Sequence, residues 1–462
     1  MKKQGVLYMK DLTKGNIYKT FLLFAFPLII SGFLSQAYSI IDTMIAGRIL
    51  DYEGLAAIGS TSAFVQFFSS VFWGYGLGFS IYTARLFGAR DFKKLKTAVY
   101  VNYTVMMAVI LLLSIASVLA VNPLFRLLEV DPEIWEGSRV YFSIYMMGSV
   151  FLLMEYNGVY IMNSFGISSY QLFMSITATV LHIAGNLFAV KVLKLGVGGI
   201  ASSTVISAAI VDLCYFIKIK KCFKEMGVKS YRIKFDVMWL KNSFVYSLPV
   251  MFQQSVTYFA SFVISPMVNG IGGAASAAYV ICLKMYEINA SVFQNSSKTL
   301  SNYTAQSMGA KKYGNIKRGL YVGFLQGAVF VLPVLAVSVI CAKWCCSVFL
   351  PANSTGESFE MALIFVRYYL PFVLFNMVTN LFHSFYRGIA AMGLLVTATV
   401  IGAVSRIAAT YIAVKHMGMN GVYLGWAISW AVECIFSLTV YFTGSWKTKE
   451  IRQSELPPAM QK

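Results

Sequence analysis

Apolar stretches long enough to cross a lipid bilayer follow one another along almost the whole chain. An α-helix needs about 20 such residues to span roughly 30 Å of hydrocarbon. The sequence offers twelve candidates, at 18–46, 55–84, 96–121, 138–163, 169–191, 197–218, 239–268, 275–305, 317–341, 362–388, 393–415 and 419–443. Inside a bilayer every backbone N–H and C=O must find its partner within the protein, so only helices and closed barrels span it. The short alternating segments of a barrel do not occur. An all-α polytopic membrane protein with twelve transmembrane helices is therefore expected. Charged residues make up 12% of the chain, against about 25% in soluble domains, and this excludes a soluble fold.

The formal net charge is +19, which taken alone would admit a nucleic-acid partner. The placement of the basic residues argues otherwise. Lys2, Lys3, Lys10, Lys14 and Lys19 precede or open the first span, and Arg85, Arg90, Lys93, Lys94 and Lys96 follow the second. Lys218, Lys220, Lys221, Lys224, Lys229, Arg232 and Lys234 follow the sixth, and Lys311, Lys312, Lys317 and Arg318 the eighth. The opposite loops are acidic or small: EVDPEIWE at 129–136, NGIGG at 269–273 and PANSTGESFE at 351–360. Such asymmetry follows the positive-inside rule and predicts cytoplasmic termini, the bilayer as the basic residues' neighbour, and no nucleic acid. The basic N-terminal segment is not a cleavable signal peptide. Seven cysteines, several inside apolar runs, form no disulfide framework.

The basic connector at 218–238 divides the chain into a bundle at 1–217, a second at 239–445 and a tail at 446–462. The two bundles repeat one another. Pro27 matches Pro249 at an offset of 222, and Gly88-Ala89-Arg90 matches Gly309-Ala310-Lys311 at 221. Gly196 matches Gly418, and Ser207 matches Ser429, both at 222. Six spans per half insert both halves the same way up, so a pseudo-twofold axis along the membrane normal is expected, with a cavity between halves. That architecture suits alternating access.

Within the first span, Asp42 places a carboxylate deep in an apolar run, at a cost of roughly 2.5–3.5 kcal/mol on insertion scales. It is expected to face protein or a water-filled cavity. Pro27, and its repeat Pro249, each remove a backbone hydrogen bond from a helix interior and are expected to bend it.

The run PLIISGFLSQAYSIIDTMIAGRI at 27–49, then LAAIGS at 55–60 and GYGLGFSIYTARLFGARDFKK at 74–94, resembles the first two helices of the multidrug and toxic compound extrusion (MATE) transporters. SLPVMFQQ at 247–254 and YTAQSMGAKKYGNIKRG at 303–319 repeat the pattern. The likeness covers about 15–443 and is nearest the bacterial DinF-like and MepA-like members. It implies a multi-pass protein of a bacterial plasma membrane, monomeric, exporting amphipathic and mostly cationic compounds against inward flow of protons or sodium, without a cofactor. It also implies that Asp42 is the essential cation-coupling acid.

Many relatives carry an Asn-x-x-x-Asp pair on the fifth helix and a Thr on the sixth. Here those places fall on His182, Asn186 and Thr204, so a second carboxylate is missing. Residues 182 and 186 share one helix face. Sodium favours hard oxygen ligands, which an imidazole does not supply, whereas a His near an Asp is titratable. Proton coupling through Asp42, tuned by His182, is therefore expected. The alternative is that His182 only hydrogen-bonds between helices. Thr257 stands where sodium-driven relatives have a Glu.

Gln36, Tyr38, Glu155, Asn157 and Glu287 are candidates for the substrate cavity. Tyr38 lies one turn before Asp42 and can offer its ring to a cation. Glu287 follows Lys284 by three residues and can pair with it. Glu433, deep in the last span, is a candidate second-half proton site. Arg367, Arg387 and Arg406 are expected to snorkel or pair with these acids. A lipid-linked saccharide flippase of the same superfamily is the alternative function. An enzyme is not expected, because no metal-ligand cluster, nucleophile–base arrangement or P-loop is present. The glycines at 76 and 78 read as a close helix contact.

Overall fold

The computed structural model describes residues 9–50, 52–127, 130–228, 237–349 and 356–455, with side chains described there except at 38–49, 52, 53, 55, 62, 63, 127, 237 and 455. Among the described residues there is no β-strand, and twelve helical segments reach membrane length. They are α1 (Ile17–Ile49), α2 (Tyr52–Gly88), α3 (Phe92–Leu119), α4 (Trp135–Ser164), α5 (Ser168–Val192) and α6 (Gly196–Glu225), then α7 (Val237–Asn269), α8 (Gly273–Gly309), α9 (Gly314–Ile340), α10 (Glu357–Ile389), α11 (Met392–Met417) and α12 (Met419–Phe442). Each overlies one expected span. Short helical turns at Val121–Leu127, Pro132–Ile134, Ala342–Ser347 and Lys449–Glu455 lie outside them.

Eight of the twelve are apolar enough over the described residues to cross a membrane on composition alone. The helix α8 is not among them, because Asn289, Asn295, Ser297, Thr299, Ser301, Asn302 and Thr304 lie along it. All seven are buried. Burial against protein, rather than lipid, is what lets so polar a helix run at this length. Apolar side chains hold the outer positions instead: Leu112, Phe262, Ile340 and Phe442 are all exposed, as lipid contact requires.

The chain separates into two compact units. The first comprises Met1–Asp11 and Phe33–Met251, and the second Leu12–Gly32 and Phe252–Lys462. The helices α1 and α7 thus each give residues to both units, and each carries its proline, Pro27 or Pro249, within the helix. The Pro27 carbonyl accepts from Ser31 Oγ at 2.9 Å. Of the connector expected at 218–238, residues 218–225 instead continue α6 and 237–238 open α7, while 229–236 lie outside the described residues.

The sequence repeat is written into the backbone. The helices α1 and α7 are each 33 residues long, and α2 and α8 each 37. Arg90 and Lys311, partners at an offset of 221, both turn left-handed, at φ 57° and 56°. Side-chain-bearing residues seldom adopt that region. The turns close alike, with Asp91 N on Leu86 O at 3.1 Å and Lys312 N on Ser307 O at 2.9 Å.

In the first unit α4 packs on α2, α3 and α6. The paired glycines make the close contact expected of them. A Cβ on Gly78 would come 2.6 Å from the Ser247 Cα of α7, and one on Gly76 would reach the Tyr160 ring at 3.0 Å. In the second unit α8 packs on α9 and α10, and α12 on α10 and α11.

Candidate functional site

The first unit brings His182, Asn186 and Thr204 together. Four residues apart on α5, His182 and Asn186 share a face, and both are buried. His182 Nε2 lies 2.8 Å from Thr204 Oγ1 on α6, and Asn186 Nδ2 lies 3.3 Å from His182 Nδ1. Thr204 Oγ1 donates to the carbonyl of Ile200 at 2.9 Å. A hydroxyl has one proton. With that proton spent on Ile200, Thr204 receives from His182, so the imidazole carries its hydrogen on Nε2 and accepts from Asn186 on Nδ1. Ser203 Oγ adds a bond to the His182 carbonyl at 3.2 Å. The helix widens immediately beyond, into a π-helical turn at Phe188–Val192, a feature found often at functional sites.

The other expected residues fall as follows. The side chains of Asp42 and Tyr38 lie outside the described residues. Gln36 is half-buried on α1, within the first unit. Asn157 is buried on α4 beside Gly76 of α2, and its Oδ1 meets no protein donor among the described residues. Glu155, on the same helix, is instead close enough to Asp212 and Tyr215 of α6 to interact with them electrostatically. Glu155 and Asn157 thus serve different neighbours. Glu287 binds Lys284 at 3.0 Å, as their spacing suggested, with both side chains partly exposed.

A second network occupies the second unit, and it draws on three helices. Arg387 of α10 donates from Nη1 to Gln253 Oε1 of α7 at 3.0 Å and from Nη2 to Ser384 Oγ at 2.7 Å. Gln253 Nε2 lies 2.9 Å from His383 Nδ1. His383 Nε2 lies 3.0 Å from Glu433 Oε1 of α12. That last approach is off the line of the ring N–H, a close electrostatic contact rather than an aligned hydrogen bond. Arg387 is buried, at 4% exposure, so it does not snorkel. Lys298 of α8 donates to Asn295 Oδ1 at 2.9 Å and is near enough to Arg387 to repel it.

Sequence reasoning singled out Glu433 but passed over Gln253 and His383. Their signal was present. His383 and Arg387 stand at helical i,i+4 spacing, and Gln253 follows Pro249 by four residues. Nothing in the sequence joined residues 253, 383 and 433.

A family model described as MatE matches residues 27–188 and 249–412. The chain is 23% identical over 349 residues to the "Probable multidrug resistance protein YoeA" of Bacillus subtilis, covering 72% of this chain and 75% of that protein. It is 22% identical to the "Probable multidrug resistance protein YpnP" of the same organism, covering 96% of this chain and 98% of that one. "Multidrug export protein MepA" of Staphylococcus aureus is 20% identical, over 74% of this chain and 75% of its own. Among solved structures, the "Outward-facing conformation of a multidrug resistance MATE family transporter of the MOP superfamily" superposes with a TM-score of 0.88 at 18% identity, over 98% of this chain and 100% of that one. A "MOP superfamily transporter from Pyrococcus furiosus" gives the same score at 18% identity, over 97% and 100%. These superpositions establish the fold.

Proposed function

Because the chain belongs to the MatE family of membrane transporters, we propose that it exports amphipathic, mostly cationic compounds from a bacterial cell in exchange for protons. Asp42 is the principal proton carrier in this reading, and His182, Asn186 and Thr204 shape its surroundings. The observation that carries the reading is the state of those three side chains. Thr204's hydroxyl is already engaged twice, by His182 and Ile200. The Asn186 amide directs its nitrogen to the imidazole. That is a poor ligand set for sodium, which favours several hard oxygens, and a good one for a site whose charge changes by one proton.

The test is dye transport by purified protein in liposomes, with ethidium or norfloxacin and either a pH or a sodium gradient imposed. The expected result is uphill transport on the pH gradient alone, abolished by Asp42→Asn. Transport driven only by sodium would overturn the choice of ion. A second reading draws on the second unit, whose membrane-length helices hold Lys298, Arg387 and Arg406. Such cations suit a phosphate-bearing lipid, as a lipid-linked saccharide flippase would require. Failure of both gradients to move dye, with translocation of a labelled lipid-linked sugar, would favour it.

A further inference from the structure

Arginine offers only donors and keeps its charge at every accessible pH. That single fact fixes the whole second-unit network. Gln253 must turn its oxygen to Arg387, at 3.0 Å. Its NH₂ group is therefore the atom facing His383 Nδ1, at 2.9 Å. An NH₂ group cannot accept, so Nδ1 must be the bare nitrogen and the imidazole hydrogen sits on Nε2, toward Glu433. A second proton on His383 would go to Nδ1 and meet the Gln253 NH₂ donor to donor. Turning the amide over would relieve that clash and create another, NH₂ against guanidinium.

We propose that Arg387 and Gln253 form a latch that keeps His383 neutral, and that His383 takes up a proton only when Gln253 leaves Arg387. The proton is delivered by hydronium, which is left as water, and it binds to the Nδ1 lone pair. Gln253 turns its oxygen to the new N–H, and its bond from Arg387 breaks. The resulting imidazolium is balanced by Glu433, 3.0 Å away. Gln253 is the second residue of α7 to belong to the second unit, four residues past Pro249. A displacement of α7 at that point is therefore the movement that opens the latch, and protonation in turn holds it open. Gln253 and Arg387 are positioning residues here, and His383 and Glu433 the pair that binds the proton.

The other charged groups around the pair are compatible with this. From α8, Lys298 acts on Arg387, and Tyr286 senses Arg406, Glu433 and Glu287. From α11, Arg406 is engaged with Ser261 Oγ at 3.3 Å and sits over the Trp426 ring at 4.7 Å. Also on α11, Gly402 faces the Glu433 carboxylate so closely that a Cβ there would lie 2.8 Å from Oε2. Glu433 is the acid within reach of His383 Nε2 and is thus the counter-ion for an added proton on that ring.

The experiment is imidazole nitrogen NMR on the full-length protein in detergent. The chain has three histidines, so His182→Asn and His416→Asn suffice to assign His383. The expected result is a neutral Nε2–H pattern for His383 that persists from about pH 7.5 to about pH 5.5, a range in which an unconstrained imidazole takes up its second proton. Gln253→Glu places an acceptor before both Arg387 and Nδ1, and should convert His383 to imidazolium across that range. Gln253→Met removes the lock and should let His383 titrate within it. A wild-type His383 that becomes imidazolium on acidification, or that carries its hydrogen on Nδ1, would overturn the latch, as would a wild-type pattern in Gln253→Glu. The wild-type spectrum is decisive even if both variants misfold. Recorded without a gradient, it judges the latch separately from the proton-coupled reading, on which only the latch's role in transport rests.

Discussion

His182 and His383 are buried alike, at 2% and 6% exposure, yet they sit in opposite kinds of network. Around His182 the hydrogen bonds among the described residues run to uncharged groups, Thr204 and Asn186, and on through Thr204 to a backbone carbonyl. Thr204's hydroxyl can rotate, and an asparagine can present either amide atom, so this network can reverse its direction without moving a helix. Around His383 the bonds start from a guanidinium and the ring's far nitrogen lies against a carboxylate. Neither end can change roles while both are ionised, and reversal requires the helices to shift. The lesson is that a buried histidine's response to protons is set by what anchors its neighbours, not by how deeply it lies.

The largest effect that would break this comparison comes from Arg387→Met. Removing one member of a buried charged network strands the other, at about 3–5 kcal/mol, so thermal unfolding in detergent should occur well below wild type. Adding Glu433→Gln to that variant should recover a good part of the loss. Equal melting of the single and double variants would show that the two charges are not coupled. His182→Asn should cost less, about 1–2 kcal/mol, the price of uncharged hydrogen bonds in a buried site. It should also flatten the pH dependence of dye transport. An unchanged pH profile with normal folding would leave His182 as a helix-to-helix contact only. The smallest effect belongs to Lys284→Ala. Its pair with Glu287 is 3.0 Å long but 35% and 42% exposed, so about 0–1 kcal/mol is expected. A loss comparable to that of Arg387→Met would mean that charge alone, rather than buried charge, governs the second unit.

Much of the fold was legible in the chain. The twelve spans, the repeat at an offset of 221 to 222 and the close contact at Gly76 and Gly78 each depend on residues near one another in sequence, or on a period. The first-unit site was legible through the family resemblance, which points to His182, Asn186 and Thr204; spacing alone places only His182 and Asn186 on one face of α5. The second-unit site was not. Glu433 stood out as a charge in an apolar run, Arg387 read as a residue that snorkels or pairs with an acid, and the helical spacing of His383 and Arg387 did not point to Gln253 or Glu433. The repeat offered no guide, because it preserves backbone features such as the Arg90 and Lys311 turns while the buried polar side chains differ between halves.

The sequence alone determined that this is a helical membrane protein of two repeated bundles, because hydrophobic length and backbone hydrogen bonding leave a long apolar run few alternatives. Only the tertiary structure decided which polar side chains share a proton-accepting network. Such networks join residues 253, 383, 387 and 433 through space, and their direction depends on a donor-only guanidinium that no pattern along the chain connects to its histidine.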